Sequence, residues 1–393
     1  MCGRLTEILE KVGRMALKDP ALLCAYKFPE HFLELLQINP GYDRLAPILR
    51  LDGHFVNGAF RLVETNADGS AGMNDSNAIE SAVIRTPVYR EFLRRQTFDS
   101  LDMVGPLVRM LLKYRGAHLG PIGILDLPGV STASEFAAVR ARISAFGAGA
   151  LILTPRDLSY RRDLQANGRS LKFVYRRLVT SDALRHWDEI TPLLQAYRLG
   201  RVRMVGSFRS ELLHNKAILA LLRHPHVRKK LTVAERAMID RHVPRAAILT
   251  TASAEAAVSA KNSWVVKPLD AYGSRGVVVG RVTNRAGWVR ALRKALREGR
   301  YLLQEYVAAP KESVLRVEKG RVGLSREMTS IGFFVYDGKM AGPYVRSGPT
   351  HPLSISYGAV TRPAFVVRPV GSSGGWVQPR PQLPKAGPRP GRV

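Results

Sequence analysis

The chain has 393 residues, of which 46% are hydrophobic, and its formal net charge at pH 7 is +28. This length allows more than one domain and a sizeable core, and the hydrophobic fraction is typical of a globular protein rather than a disordered one. The two cysteines exclude a disulfide framework and fit a reducing, cytoplasmic setting. No run of about 18 apolar residues occurs, so no membrane-spanning helix is expected.

The positive charge is the one extreme feature of the composition. Arginine greatly outnumbers lysine, and arginine is the better bidentate partner for phosphate and carboxylate groups. The charge therefore fits either an anionic partner, such as nucleic acid or a phosphorylated small molecule, or a compositional bias spread over solvated surfaces. Because the basic residues are scattered along the chain, the second interpretation is preferred and nucleic acid is not expected as a partner.

The N-terminal part predicts helix followed by a β-hairpin. Residues 1–40 have apolar side chains at helical spacing. Residues 50–69, RLDGHFVNGAFRLVETNADG, then place two apolar-rich strands on either side of Asn57-Gly58, a dipeptide that favours a tight hairpin turn. Residues 66–77 are expected to form a loop, and residues 86–115 return to a helical pattern.

The hairpin carries four polar groups close together: Arg50, Asp52, Glu64 and Asn66. They form either an ion-pair cluster or a metal site. The oxygen atoms of Asp52, Glu64 and Asn66 are ligands of the kind that Mg²⁺ prefers. An arginine beside Mg²⁺ suits phosphoryl transfer, because negative charge develops on the phosphate oxygens.

The turn of the hairpin tests the metal hypothesis. A regular two-residue turn pairs Val56 with Ala59 and sends Asp52 and Glu64 to opposite faces, whereas a shift by one residue places them opposite each other. The hypothesis therefore predicts an odd-length loop or a β-bulge, with positive φ at the turn.

Residues 116–210 predict a small Rossmann-like unit. GPIGILDLPG, GALILTPRDLSY and LKFVYRRLVT read as buried strands, and STASEFAAVRARISAFGAG between the first two reads as a helix. This βαβ order predicts a parallel sheet. No GxGxxG follows the first strand, so no dinucleotide is assigned.

Residues 211–368 contain three further stretches whose residue types suit ligand binding or catalysis. ELLHNKAILALLRHP predicts one helix that ends at Pro225, with Lys216 on its first turn. VVKPLDAYGSRGVVVG predicts two strands around a glycine-rich loop, with Lys267 at the end of the first strand; such a loop can lay N–H groups over a polyphosphate. QEYV, residues 304–307, predicts a strand. Taken singly, these could equally be a solvated lysine, a plain hairpin and an exposed strand.

Together, the stretches resemble the circularly permuted ATP-grasp proteins, such as the synthetase part of glutathionylspermidine synthase. The shared order is R-x-D, E-x-N, YRR, NKAxLALL, VKPxxxYGxxGVxxG and QEYV, from about residue 45 to residue 368. The resemblance implies a multidomain α/β and α+β fold with a Rossmann-like pre-ATP-grasp βαβ domain. The expected units are residues 1–45 (helical segment), 46–115 (metal-binding hairpin and helices), 116–210 (pre-ATP-grasp domain), 211–368 (ATP-binding part) and 369–393 (disordered tail rich in Pro, Gly and Arg).

The resemblance also implies an activity and a set of site residues. The enzyme would be an ATP- and Mg²⁺-dependent carboxylate–amine ligase that works through an acyl phosphate on small-molecule or peptide substrates. Arg50 would be catalytic, and Asp52, Glu64 and Asn66 would bind Mg²⁺. The residues implied to bind ATP are Lys216, Lys267, Tyr272, Gly273, Ser274, Gly276, Gln304, Glu305, Tyr306 and Val307. A nucleotide-binding protein without turnover and a basic nucleic-acid-binding protein are the alternatives.

Overall fold

The structure is a computed structural model that describes residues 1–94, 97–118, 120–318 and 320–368. The tail predicted for residues 369–393 lies outside this description. Within it, the α-helices are α1 (Cys2–Lys18), α2 (Pro20–Leu23), α3 (Glu30–Gln37), α4 (Met73–Ile84), α5 (Pro87–Leu93), α6 (Val104–Arg115), α7 (Ala133–Ala145), α8 (Thr180–Arg185), α9 (Thr191–Arg198), α10 (Glu211–His214), α11 (Ala217–Leu221), α12 (Pro225–Lys229), α13 (Val233–His242), α14 (Thr251–Ser259) and α15 (Arg285–Glu298).

The strands form a mixed α/β fold with several separate sheets. Over the same residues they are β1 (Ile48–Val56), β2 (Ala59–Asn66), β3 (Thr97–Asp99), β4 (Ile122–Leu125), β5 (Ala150–Leu153), β6 (Leu158–Tyr160), β7 (Leu164–Ala166), β8 (Arg169–Ser170), β9 (Phe173–Arg176), β10 (Arg203–Val205), β11 (Ala246–Ile248), β12 (Trp264–Pro268), β13 (Val278–Val279), β14 (Tyr301–Glu305), β15 (Lys311–Glu318), β16 (Arg321–Tyr336), β17 (Lys339–Gly348), β18 (Val360–Arg362) and β19 (Val366–Arg368).

The largest sheet joins strands from distant parts of the chain. Its order is β18-β17-β16-β1-β2, and β15 also pairs with β16. The neighbours pair antiparallel. In β1, Leu49 and Leu51 are fully buried in the main core, and the alternation of strand side chains sends Arg50 and Asp52 to the other face.

The predicted parallel sheet is confirmed. β4 pairs parallel with both β5 and β9, and β10 pairs parallel with β9. The sheet order is β10-β9-β4-β5, and α7 connects β4 to β5 as the βαβ pattern requires. The assignment of this unit to a pre-ATP-grasp domain, and the predicted domain boundaries, stay predictions.

A third sheet carries the predicted glycine-rich loop. β12 pairs antiparallel with β13 and β14, and β14 pairs with β11. A separate core around Trp288, which has no exposed surface, packs α14 and α15 on these strands. Helix α15 follows the Asn284 cap, and it ends before Gly299, which has the left-handed conformation.

Two local predictions were wrong. Residues 66–77 are not wholly a loop, because α4 begins at Met73, which is fully buried. The helix predicted to end at Pro225 is divided, and Pro225 instead begins α12. The helical pattern predicted within residues 86–115 is confirmed as α5 and α6, and β3 lies between them and pairs with β19.

No helix in the described ranges combines the length and the apolar character needed to cross a membrane. Both cysteines are free; Cys2 is buried and Cys24 is exposed.

Candidate active site

A β-bulge in the first hairpin brings the predicted carboxylates together. The turn is the two-residue Asn57-Gly58 type, with φ of 50° and 73°, and it pairs Val56 with Ala59. The register then shifts between Asp52 and Gly53, so Asp52 lies opposite Glu64 and Arg50 lies opposite Asn66. The bulge that the metal hypothesis predicts is confirmed. A regular ladder would have sent Asp52 and Glu64 to opposite faces.

Two glycines make room for this arrangement. A Cβ atom at Gly53 would collide with the Arg61 carbonyl across the bulge and would lie 2.7 Å from the Phe60 ring. Gly332 on β16 lies opposite Asp52, and a Cβ atom there would collide with Asp52 Oδ1 and would lie 3.1 Å from Arg50 Cδ. Gly53 therefore leaves room for the bulge, and Gly332 leaves room for the Arg50–Asp52 pair on the sheet.

Asp52 accepts hydrogen bonds from three side chains. Arg50 Nε donates to Asp52 Oδ1 at 2.7 Å, and Arg50 Nη2 donates to Oδ2 at 2.8 Å. Asn66 Nδ2 and Arg346 Nη2 donate to Oδ2 at 2.9 and 3.2 Å. Burial lowers the pKa of Arg50, but the charge of Asp52 and its hydrogen bonds outweigh burial and raise it overall. Arg50 is therefore a fixed cation, held by a bidentate pair.

Glu64 lies between two lysines. Lys216 Nζ is 2.9 Å from Glu64 Oε1 and also donates to the Ala271 carbonyl at 2.8 Å. Lys267 Nζ donates to the Val63 carbonyl at 3.1 Å. Burial raises the pKa of Glu64, but Lys216 and Lys267 outweigh burial and hold it at about 2. Burial lowers the pKa of Lys267 to about 8, against the opposing effect of Glu64.

A break in the predicted helix positions Lys216. Asn215 is extended, with ψ of 130°, and separates α10 from α11. Its Oδ1 accepts the Ala217 N–H at 3.0 Å, which caps α11. The Lys216 N–H, freed from helical bonding, donates to the Leu269 carbonyl at 2.9 Å. Lys216 is thus tied directly to the segment that leads into the glycine-rich loop.

The loop after β12 has the conformation that its glycines allow. Gly273, Ser274 and Gly276 all have positive φ, at 64°, 62° and 71°. The Tyr272 hydroxyl lies 3.3 Å from Asp182 Oδ2. Ser354 Oγ donates to the Gly273 carbonyl at 3.4 Å, so a segment after β17 touches the loop.

The third predicted stretch, QEYV at residues 304–307, forms a further wall of the site. Gln304 is almost fully buried and its Nε2 has no partner among the described residues. Glu305 accepts the Arg245 N–H at 3.0 Å. The Tyr306 hydroxyl lies 3.1 Å from His351 Nε2. An unpaired amide donor this deeply buried is costly, so it marks a place where a ligand acceptor would fit.

These walls enclose one cleft, which contains most but not all of the predicted residues. Its volume is about 110 Å³. Of the predicted set, its lining includes Asp52, Glu64, Lys216, Lys267, Ser274, Gln304, Glu305, Tyr306 and Val307. The predicted residues that do not line it are Arg50 and Asn66, which support it from behind, and Tyr272, Gly273 and Gly276 in the loop.

Sequence reasoning missed several lining residues. These are His54, Ser330 and His351. Arg346 also lines the cleft, and its Nε has no partner among the described residues. His54 Nδ1 donates to the Thr329 carbonyl at 3.2 Å, and burial lowers the pKa of His54 to about 4. The one available signal was its spacing, since His54 follows Asp52 by two residues and so continues the same face of β1.

Comparisons with known proteins support the fold. No family model matches the chain, and no curated protein matches its sequence. A glutathione synthetase-like effector from Globodera pallida, solved in its apo form, matches 91% of this chain and 85% of its own, with a TM-score of 0.57 and 12% identity. This likeness shows that the two chains share a fold.

Two further structures match with lower TM-scores. A D-cycloserine synthetase matches 62% of this chain and 75% of its own, with a TM-score of 0.37 and 19% identity. D-alanyl-alanine synthetase A from Vibrio cholerae matches 60% of this chain and 69% of its own, with a TM-score of 0.30 and 13% identity. Because their TM-scores are this low, these two structures do not support any inference about this chain.

Proposed function

We propose that the chain is an ATP- and Mg²⁺-dependent carboxylate–amine ligase of the circularly permuted ATP-grasp type. The observation that carries the proposal is the cleft, where the bulge sets Asp52 beside Glu64 and where Lys216 and Lys267 face them. The fold shared with the glutathione synthetase-like effector supports it. The two free cysteines fit a reducing compartment, which we take to be the cytoplasm.

The lysines and the glycine-rich loop would bind the phosphates of ATP. Lys216 is almost fully buried and Lys267 is half-buried, so both cations meet a phosphate in a poorly solvated place where attraction is strong. Residues 271–276 would lay their N–H groups over the phosphates. The ligand pockets of proteins are roughly 300–1,000 Å³. The cleft, at about 110 Å³, is smaller than this range, and a movement of the glycine-rich loop away from Ser354 would enlarge it for ATP.

Residues 304–307 would bind the nucleoside of ATP. Gln304 offers an unpaired Nε2 donor to a ring nitrogen of adenine. Glu305 is the next residue of the same strand, and its carboxylate would accept hydrogen bonds from the ribose hydroxyls. Tyr306 and Val307, which follow β14, would supply apolar surface and backbone groups for the base.

The oxygen atoms on the hairpin fit Mg²⁺. Asp52 and Glu64 are carboxylates on one face, and Asn66 uses its Nδ2 on Asp52, which leaves its Oδ1 as a third hard donor. Arg50 and Lys216 neutralise the two carboxylates in this structure, and a metal ion would take over part of that role. When bound, Mg²⁺ would neutralise charge on the phosphate oxygens of ATP.

The reaction would proceed in two displacements. An oxygen of the substrate carboxylate would attack the γ-phosphorus of ATP, and the bond to ADP would break to give an acyl phosphate. The nitrogen of the amine would then attack the acyl carbon, and inorganic phosphate would leave. Charge develops on oxygen atoms in both steps, so fixed cations at those oxygens lower the barrier.

Arg346 and His54 have the free groups that these steps need. Arg346 lines the cleft with an unpartnered Nε, which would donate to an oxygen of the acyl group or of the phosphate. Arg50 would hold Asp52 and direct Arg346 through it. His54 is neutral and its Nδ1–H is already used, so its Nε2 would accept the proton that the amine loses on attack.

An ADP-release screen tests this function. ATP and Mg²⁺ are incubated with the protein and a panel of amino acids, short peptides and polyamines, singly and in pairs. We expect ADP release to rise strongly only when a suitable acid and amine are both present, and to be absent in Lys267→Met. If ATP binds but no pair stimulates release, the chain is a nucleotide-binding protein without turnover.

A further inference from the structure

A second cluster of metal-binding groups lies beside the cleft. Glu211 and His214 are the first and last residues of α10, and Asp270 follows β12 by two residues. One ligand atom from each of the three side chains lies within 4.8 Å of the other two. Glu211 has no exposed surface, His214 is 4% exposed and Asp270 is half-buried. None of the three lines the cleft described above.

The carboxylate of Glu211 has no partner. Neither of its oxygen atoms makes a hydrogen bond within the described residues, although both are buried. Burial raises the pKa of Glu211 well above its usual range, and the charges of Asp270 and Asp68 raise it further. Buried carboxylates are nearly always hydrogen-bonded, paired or bound to metal. A buried carboxylate without a hydrogen bond, close to two other ligand groups, is therefore a candidate metal ligand.

The nearby lysine and arginine side chains already form ion pairs with other carboxylates. Lys216 lies 2.9 Å from Glu64 and donates to the Ala271 carbonyl. Arg176 is paired with Asp68 at 2.5 Å. Within the part of the chain that the structure describes, no lysine or arginine pairs with Glu211 or with Asp270. The charges of Arg176 and Lys216 still act on Glu211 from a distance, but neither Glu211 nor Asp270 has an ion-pair partner among these residues.

We propose that Glu211, His214 and Asp270 bind a divalent transition-metal ion such as Zn²⁺. Two carboxylate oxygens and an imidazole nitrogen form a mixed set that suits such an ion better than Mg²⁺, which prefers oxygen ligands alone. Ala67 N–H donates to His214 Nδ1 at 3.4 Å, which is long for a hydrogen bond. Coordination through either ring nitrogen would end this weak contact, because it would either use the lone pair of Nδ1 or place the ring proton on Nδ1.

The ion would fix the start of the glycine-rich loop. Asp270 lies between Leu269, whose carbonyl accepts the Lys216 N–H, and Ala271, whose carbonyl accepts the Lys216 ammonium group. A metal bridge from Asp270 to Glu211 would add a third tie, this one between the segment and α10. Because Asp270 is only half-buried, the ion can enter from its side. The role is structural, and it does not depend on the ligase reaction.

Zn²⁺ binding to the untagged full-length chain tests the proposal. The chain is stripped with a chelator and titrated with Zn²⁺ in a large excess of Mg²⁺, which occupies any site that prefers oxygen ligands. Bound metal is measured by mass spectrometry after gel filtration, and the melting temperature is measured with and without Zn²⁺. We expect one tightly bound equivalent and a higher melting temperature.

The substitutions Glu211→Gln and Asp270→Asn should each abolish this equivalent and the thermal shift. Glu80→Gln is the matched control, because Glu80 is also a buried carboxylate but is hydrogen-bonded to Ser100 and lies outside the cluster; it should retain the metal. Because Asp270 is only half-buried, Asp270→Asn disturbs folding less than Glu211→Gln does. The test therefore stays decisive if Glu211→Gln fails to fold.

Three results would overturn the proposal. The wild-type chain could bind no Zn²⁺, or both variants could bind it as the wild type does. Alternatively, Glu211→Gln could raise the melting temperature of the metal-free protein while Zn²⁺ leaves the wild type unchanged, which would show that Glu211 is a protonated buried acid. A failed ADP-release screen would leave the Zn²⁺ result unaffected, so the two proposals fail separately.

Discussion

At the scale of single residues, Asp52 determines whether the charges of the cleft are balanced. It is 2% exposed and it pairs with Arg50 and Arg346. Removing one member of a buried ion pair leaves the other as an uncompensated charge. The role in metal binding that we propose for Asp52 therefore cannot be separated from its effect on stability by substitution with alanine alone.

Asp52→Ala should lower the free energy of unfolding by about 3–5 kcal/mol, because it leaves Arg50 buried without its partner. Urea denaturation followed by circular dichroism measures this. The double variant Arg50→Met/Asp52→Ala removes both charges and should recover much of the loss. If Asp52→Ala and the double variant unfold at the same urea concentration, the pair does not stabilise the fold.

Arg346 should matter for turnover rather than for binding. It lines the cleft with an unpaired Nε, so Arg346→Gln should lower kcat by about 100- to 1,000-fold, as the loss of an electrostatic donor does in other enzymes. ATP affinity should change little. Steady-state kinetics test this beside Arg326→Gln, an exposed arginine on β16, which should behave like the wild type. A collapse of ATP affinity in Arg346→Gln would instead make Arg346 a nucleotide-binding residue.

Lys267 should make ATP binding depend on pH. Its pKa is lowered to about 8, so the ammonium group is charged below this pH and neutral above it. ATP favours the charged form, and its affinity should therefore fall as the pH rises through about 8. Titration calorimetry across this range measures the effect. Lys267→Arg keeps its charge and should show a flat profile; an equal slope in both proteins would contradict the assignment.

At the scale of secondary-structure elements, the β-bulge is the feature on which the site depends. It changes the register only beyond Gly53, so one end of the hairpin keeps a regular turn while the other end aligns Asp52 with Glu64. The bulge requires a residue without a side chain, because a Cβ atom would meet the backbone of the opposite strand.

Gly53→Ala should destabilise the protein by about 1–3 kcal/mol through this collision, and it should also reduce ATP-dependent turnover. Chemical denaturation and the ADP-release assay measure the two effects. Gly323→Ala on β16 is the control, because a Cβ atom there meets nothing within 4 Å, and it should be almost neutral. Normal stability and turnover in Gly53→Ala would mean that the register is set elsewhere.

The elements that could be predicted are those with local signals. The dipeptide Asn57-Gly58 favours a tight turn, and both residues have the positive φ angles expected. The elements that could not be predicted depend on distant partners. β3 exists because it pairs with β19, and the break before α11 exists because the Lys216 N–H bonds to Leu269. Neither partner is visible in the local sequence pattern.

At the scale of the whole molecule, the cleft is assembled from three sheet regions far apart in the chain. β1 and β2 supply the carboxylates, β12 and β14 supply Lys267 and Gln304, and β16 and β17 supply Ser330 and Arg346. The order of short motifs was enough to nominate the first two groups. The third group has no such motif, and only the pairing of β1 with β16 and of β16 with β17 brings it to the site.

Hydroxylamine trapping of the acyl phosphate is the sharpest test of the proposed ligase reaction. Hydroxylamine is a small amine that can replace the natural acceptor, so only the acid needs to be found by screening. The protein is incubated with ATP, Mg²⁺, hydroxylamine and each acid of the panel, and ADP and hydroxamate are quantified together. We predict that at least one acid gives ADP and hydroxamate in equal amounts, and that Lys267→Met gives neither. ADP release without hydroxamate for every acid, or no ADP release at all, would rule out an acyl-phosphate ligase.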